Sequence, residues 1–240
     1  IWLDWMTQGT RVTGNLVHGS ASQDLFAEVN HGPFLVDNNL FLSAASVDTW
    51  SEGGAFCHNL FAGTISRRPV LNRATPYHPA HATQVAGISV IEGGDDRYYN
   101  NLILGKNGLM AYDEAVLPVW MGGNVFLRDA TPSKHEPNAV VVAGLDPELK
   151  LVEKSDGVYV EFTIDAAWAA KSKTQLVTTE LLGKAKLPGL PYVQPDDSPI
   201  RLDTDYFGKQ RDEAKPFPGP FEVTEPGRQV YKIWPREASR

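Results

Sequence analysis

Cysteine is almost absent from this 240-residue chain. Cys57 stands alone, so no intrachain disulfide can form, and the expectation tilts towards a reducing, cytoplasmic compartment. No apolar run is long enough to cross a membrane, and no signal peptide can be read. Basic clusters are missing too. With 22 Lys and Arg against 29 Asp and Glu the formal net charge is −7, which argues against a nucleic-acid partner. Neither a G-x-S-x-G elbow nor a phosphate-cradling glycine loop occurs. The chain does not start with Met. It opens on Ile1-Trp2-Leu3-Asp4-Trp5, which reads as a strand already under way, so a longer protein with earlier turns before Ile1 is expected.

What is present is enough apolar residue, 42%, to bury a sizeable core in one or two domains. It is organised by a repeat. Asn followed by two apolar residues occurs at Asn15-Leu16-Val17, Asn39-Leu40-Phe41, Asn59-Leu60-Phe61, Asn101-Leu102-Ile103 and, more loosely, Asn124-Val125-Phe126. The steps are 24, 20, 42 and 23 residues, the third being close to two turns. That period, filled with short strands and Gly/Asn corners, predicts an all-β chain folded as a parallel β-helix, with the corner Asn residues stacked as a ladder. The long step hides an excursion over 64–85 containing Arg67, Arg68 and Arg73. Long loops on a solenoid often leave its binding face. After Phe126 the repeat fades. Alternation at Val158, Val160, Phe162 and Ile164 predicts a half-buried strand, and the Pro/Gly-rich stretches from Leu187 predict irregular chain. Residues 1–130 are therefore expected to be solenoid turns, and 131–240 a β-rich extension packed on or capping them.

Two carboxylates hold equivalent places in consecutive repeats. Asp4 precedes Asn15 by 11 residues, and Glu28 precedes Asn39 by 11. Strand alternation sends Leu3, Trp5, Ala27 and Val29 inwards and Trp2, Asp4, Phe26, Glu28 and Asn30 outwards. Neighbouring strands are about 4.7–4.9 Å apart. Retaining glycosidases hold two carboxyl groups about 5–5.5 Å apart, and inverting ones roughly 6.5–9.5 Å. Stacked rungs favour the closer spacing. The shorter Asp4 suits a nucleophile and the longer Glu28 proton transfer. Trp2 offers an apolar face to a sugar ring, and Asn30 and His31 are candidates for its hydroxyls. Asp48, also 11 residues before its Asn, is a candidate third acid in the row. His78-Pro79-Ala80-His81 has a crude metal-ligand spacing that nothing else in the sequence completes, so neither a metal nor a cofactor is expected.

The stretches Trp2-Leu3-Asp4-Trp5-Met6-Thr7-Gln8-Gly9-Thr10 and Asp24-Leu25-Phe26-Ala27-Glu28-Val29-Asn30-His31-Gly32-Pro33 resemble glycoside hydrolase family 120. The likeness continues through Val36-Asp37-Asn38-Asn39, Gly53-Gly54-Ala55, Leu176-Val177-Thr178-Thr179 and Asp203-Thr204-Asp205-Tyr206. This resemblance implies a right-handed parallel β-helix and a retaining β-xylosidase that releases xylose from xylo-oligosaccharides, with Asp4 as nucleophile and Glu28 as general acid/base. It also implies a homo-oligomer. A polysaccharide lyase and a non-catalytic carbohydrate-binding β-helix are the alternatives. A lyase needs a Lys or Arg base, and the row of acids offers none beside it.

Overall fold

The structure, a computed structural model describing residues 1–235, is all-β apart from two short helices, Ala166–Lys171 and Thr179–Leu182, and a 3₁₀ turn at Met110–Glu114. From residue 1 to 143 the chain visits three parallel sheets in rotation. The first contains Trp2–Leu3, Leu25–Glu28, Ala45–Trp50 and Thr64–Arg67, in that order. The second contains Thr10–Thr13, Phe34–Asp37, Gly54–Cys57, Arg97–Tyr99 and Trp120–Gly122. The third contains Leu16–Val17, Leu40–Phe41, Leu60–Phe61, Leu102–Ile103, Val125–Arg128 and Val140–Ala143. An antiparallel hairpin, Val70–Tyr77 with Gly87–Ile91, stands out from the first sheet and is called the arm below. A three-stranded antiparallel sheet, Lys150–Lys154, Gly157–Ile164 and Gly227–Trp234, follows the parallel strands.

The right-handed parallel β-helix expected from the repeat and the resemblance together therefore needs correcting. The strands lie in five separate sheets, three parallel and two antiparallel, rather than in one clear solenoid of a single hand. One reason the sheets separate is visible at the corners. The residue before each ladder Asn has a positive φ: Gly14 (63°), Asn38 (54°), His58 (55°), Asn100 (57°) and Gly123 (70°). A left-handed residue swings the backbone out of the extended region and ends the sheet there.

The Asn ladder forms. Side-chain Nδ2 donates to the next Oδ1 from Asn15 to Asn39 (2.9 Å), Asn39 to Asn59 (3.0 Å), Asn59 to Asn101 (3.2 Å) and Asn101 to Asn124 (2.8 Å). Each acceptor oxygen also takes the backbone N–H of the preceding Asn. Buried corner amides are thus satisfied by the same side chain in every repeat. Glu136 closes the row, accepting Asn124 N at 3.0 Å and Asn124 Nδ2 at 2.8 Å.

Burial outweighs those two bonds and pushes the Glu136 carboxyl up to about 7. Burial likewise pushes Asp96 up to about 8, although it accepts from Gly54 N (2.8 Å) and the Tyr112 hydroxyl (3.0 Å). Both values are raised above those of an unfolded chain, so the folded state keeps protons that the unfolded state has released. Their stabilising contribution is complete below about pH 4 and is lost as pH rises through about 7 and 8. The urea midpoint is expected to fall between pH 5 and 9, with Glu136 accounting for on the order of 3 kcal/mol. Glu136→Gln should flatten that fall. A midpoint that stays level or rises in the wild type would contradict the assignment.

Between the three parallel sheets lies one apolar core. Leu3, Leu25, Ala27 and Val47 enter it from the first sheet, Phe34, Val36, Phe56 and Tyr98 from the second, and Phe41, Phe61, Ile103 and Phe126 from the third. Rings stack along the repeat axis, Phe41 on Phe61 at 5.6 Å and Phe56 on Tyr98 at 4.6 Å. The outer faces differ. The third sheet's outer face (Leu40, Leu60, Leu102, Val125) is covered by Val160, Phe162, Ile164, Trp168 and Phe221. The second sheet's outer face (Leu35, Ala55, Cys57, Tyr99) is covered by Val177, Leu182, Tyr192, Ile200 and Leu202. Two buried arginines help pin these later segments. Arg97 pairs with Asp95 at 2.8 Å and donates to Leu182 O and Lys184 O, and Arg211 donates to Asn38 Oδ1 at 2.8 Å and to Gly219 O. The first sheet's outer face is covered by neither group.

Candidate active site

That open face carries the two carboxylates. Trp2 pairs with Phe26 and Leu3 with Ala27 in parallel register, and Asp4 and Glu28 are the residues that follow these pairs, Asp4 just past the end of its strand. The same register on the following strand sets Glu28 against Trp50 and Phe26 against Asp48. Asp48 therefore does not extend the acid row. The interval from strand to ladder Asn shortens from 11 residues (Glu28 to Asn39) to nine (Trp50 to Asn59), which puts Trp50 in its place. Asp48 instead fixes its neighbours, accepting Trp50 Nε1 at 3.0 Å and Ser66 Oγ at 2.8 Å.

Asp4 is exposed and sits where the strand ends and the chain turns. Its Oδ1 accepts from Trp5 N at 2.7 Å. Thr7 Oγ1 donates back to Asp4 O, and Asn30 clamps the turn from below, its Oδ1 accepting Thr7 N and its Nδ2 donating to Leu3 O at 3.2 Å. Glu28 is half-buried and both its oxygens accept. Trp2 Nε1 donates to Oε2 at 3.1 Å, and Arg73, on the arm, lies 3.0 Å from Oε1. Both partners are N–H donors, and one of them is charged.

Alternation misplaces several residues here. Trp5 is 49% exposed rather than in the core, because the strand stops at Leu3 and Met6 takes a φ of 65°. Asn30 faces inwards, since Val29, with a φ of 45°, breaks the extended run after Glu28. Asn30 is fully buried and its amide is engaged by Leu3, Thr7 and Ser51, leaving it no surface for a sugar hydroxyl. His31 is buried as well. Its Nδ1 meets Glu52 Oε1 at 2.7 Å, and its Nε2 meets Thr75 O and Ser89 O at 3.1 and 3.3 Å. Both residues brace the site instead of lining it, Asn30 through the Asp4 turn and His31 through the arm. Trp2 is 62% exposed, tilted against Phe26 at 5.9 Å, so its ring retains an open side.

The excursion over 64–85 is resolved into two pieces. Thr64–Arg67 is the fourth strand of the first sheet, and Val70–Tyr77 is one strand of the arm. The arm is held at its base by His31 and near its tip by Gln8, which donates to His78 O and accepts His78 N, both at 3.0 Å. His81 at the tip pairs with Asp197 at 2.7 Å. This anchoring carries Arg73 onto Glu28. Arg68, next to the sheet's edge strand, stacks its guanidinium 3.2 Å over the Trp50 ring. Arg68, Arg73 and Trp50 are the site residues that spacing missed. For the two arginines the signal was a long arginine-bearing excursion of the kind that often leaves a binding face; for Trp50 there was none.

No family model and no curated protein sequence matches this chain. Among solved structures, that of XylC in complex with xylose matches with a TM-score of 0.89. The chain is similar to XylC. Identity is 33% over 97% of this chain, which spans 41% of the XylC chain. The likeness reaches across the site-bearing face, the arm and the segments that cover the other two sheets.

Proposed function

We propose that this chain carries the active site of a retaining glycoside hydrolase, an exo-acting β-xylosidase that releases xylose from xylo-oligosaccharides by double displacement. The observation that carries the reading is the parallel pairing of Trp2 with Phe26 and of Leu3 with Ala27, which Asp4 and Glu28 follow directly, on the face that the later chain leaves uncovered. The likeness to XylC, whose structure holds xylose, supports the sugar class. Residues 1–130 supply the chemistry in this reading, and segments within 131–235 cover the other two faces.

Strand spacing of about 4.7–4.9 Å suits the close carboxyl pair of retention. Asp4 attacks the anomeric carbon as the C–O bond to the leaving sugar breaks, and Glu28 gives its proton to the departing oxygen. A covalent glycosyl ester on Asp4 results. Glu28, now a carboxylate, takes a proton from water, and that water's oxygen attacks the anomeric carbon and releases Asp4. The Trp2 indole N–H holds Glu28 in position for both proton transfers.

The first-formed sugar tests this stereochemistry. Proton NMR of an aryl β-xyloside digest is expected to show β-xylose first, with the α-anomer appearing only as mutarotation proceeds. α-Xylose as the first product would rule out retention.

A further inference from the structure

A cavity of about 330 Å³ opens beside Glu28, between the first sheet and the arm. Trp50, Arg68, Asn72 and Arg73 give it a polar side, and Val29 and Val70 an apolar wall. Its charge is unusual for this chain. The net charge is −7, yet two guanidinium groups border the cavity and one carboxylate, Glu28, answers them. Arg68 has no carboxylate partner among the described residues. Its guanidinium rests on Trp50, which leaves the edge N–H groups free to donate.

The geometry also leaves a conflict at Glu28. To protonate a leaving group it must carry a proton on one oxygen, but Trp2 donates to Oε2 and Arg73 sits on Oε1. A neutral pentose offers Arg73 only hydroxyls. A carboxylate would offer it a charge-assisted, two-pronged pair and draw it off Glu28. Such a carboxylate would meet Arg68 as well. Asp4, Glu28, Trp50 and Arg68 follow one another across four neighbouring segments, Asp4 and Arg68 each one residue past the end of its strand, since Arg68 N donates to Thr49 O and continues the pairing of Arg67 with Thr49. Arg68 is thus two strand spacings from Glu28, roughly 10 Å. That places the unpaired cation beyond Glu28, on the side away from Asp4.

We propose that this cavity binds the carboxylate of a uronic-acid branch, so that the preferred substrates are acidic xylo-oligosaccharides branched next to the scissile bond. The inference rests on Glu28 acting in glycoside hydrolysis. Arg68 selects the acidic branch. Arg73 exchanges Glu28 for the branch carboxylate, which frees Glu28 Oε1 for its proton.

Xylobiose and xylobiose bearing a glucuronic acid on its reducing-end xylose are the probes. The wild-type protein is expected to show a kcat/KM at least about tenfold higher for the acidic sugar, a preference that shrinks as salt is raised. Arg68→Gln should reduce the acidic-to-neutral ratio about tenfold, and Arg68→Lys should retain part of it. Turnover of xylobiose with no acidic preference, or a preference untouched by Arg68→Gln, overturns the inference alone. Turnover of neither sugar overturns the glycosidase reading and this inference with it. Arg68 is exposed and outside the core, so the variants fold, which a melting curve matching the wild type checks.

Discussion

With Asp4 replaced by glycine, turnover of an aryl β-xyloside is expected to fall by roughly 10⁴-fold or more, the scale on which losing a covalent nucleophile acts. Azide should then restore turnover and give α-xylosyl azide, because the small anion attacks from the side the carboxylate has vacated. The structure favours a clean experiment. Asp4 is exposed in a turn held by Thr7 and Asn30, and what the substitution removes is one hydrogen bond to Trp5 N. The turn keeps its clamp, so a variant that melts with the wild type reports on chemistry. Undiminished turnover in Asp4→Gly would sink the nucleophile assignment. An unsaturated, ultraviolet-absorbing product from a uronate-containing chain would turn attention to elimination.

Glu28→Ala has the second-largest expected effect, and its size depends on the leaving group. Hydrolysis of xylobiose, whose leaving oxygen needs a proton, should drop about 10²–10⁴-fold. A dinitrophenyl xyloside departs without that help, so its first step should be little affected, and the glycosyl ester on Asp4 should accumulate. Azide should release it as β-xylosyl azide, the opposite anomer from the Asp4→Gly product. The two products together separate the roles, which adjacency on neighbouring strands leaves symmetrical. Equal losses for good and poor leaving groups would argue that Glu28 positions substrate and transfers no proton. The same variant releases Arg73 and Trp2 from their shared partner, so loosening of the arm is expected alongside the chemical defect.

The Asn repeat and the equivalent places of Asp4 and Glu28 were legible because each depends on spacing that recurs. A 24-residue step that reproduces Asn15 as Asn39 also reproduces Asp4 as Glu28, and the observed pairing of Trp2 with Phe26 has that same offset. Legibility ended where the step changed. The third turn lost two residues between strand and Asn, which moved Asp48 out of the row and Trp50 in. It also failed where one residue left the extended region, as Val29 did, so that Asn30 turned from the surface to the interior.

By itself the sequence determined that the chain is all-β, where its corner amides stack, and which two carboxylates hold equivalent places in consecutive repeats. These follow from local periodicity and from one side chain doing the same bonding job in each repeat. Only the tertiary structure decided that the strands separate into five sheets, which of three faces stays open, and that Arg73 and Arg68 reach it. Those outcomes depend on non-repeating segments, the arm braced by His31 and Gln8 and the later chain pinned by Arg97 and Arg211. Contacts between residues far apart in the chain leave no period to read, because each is made once.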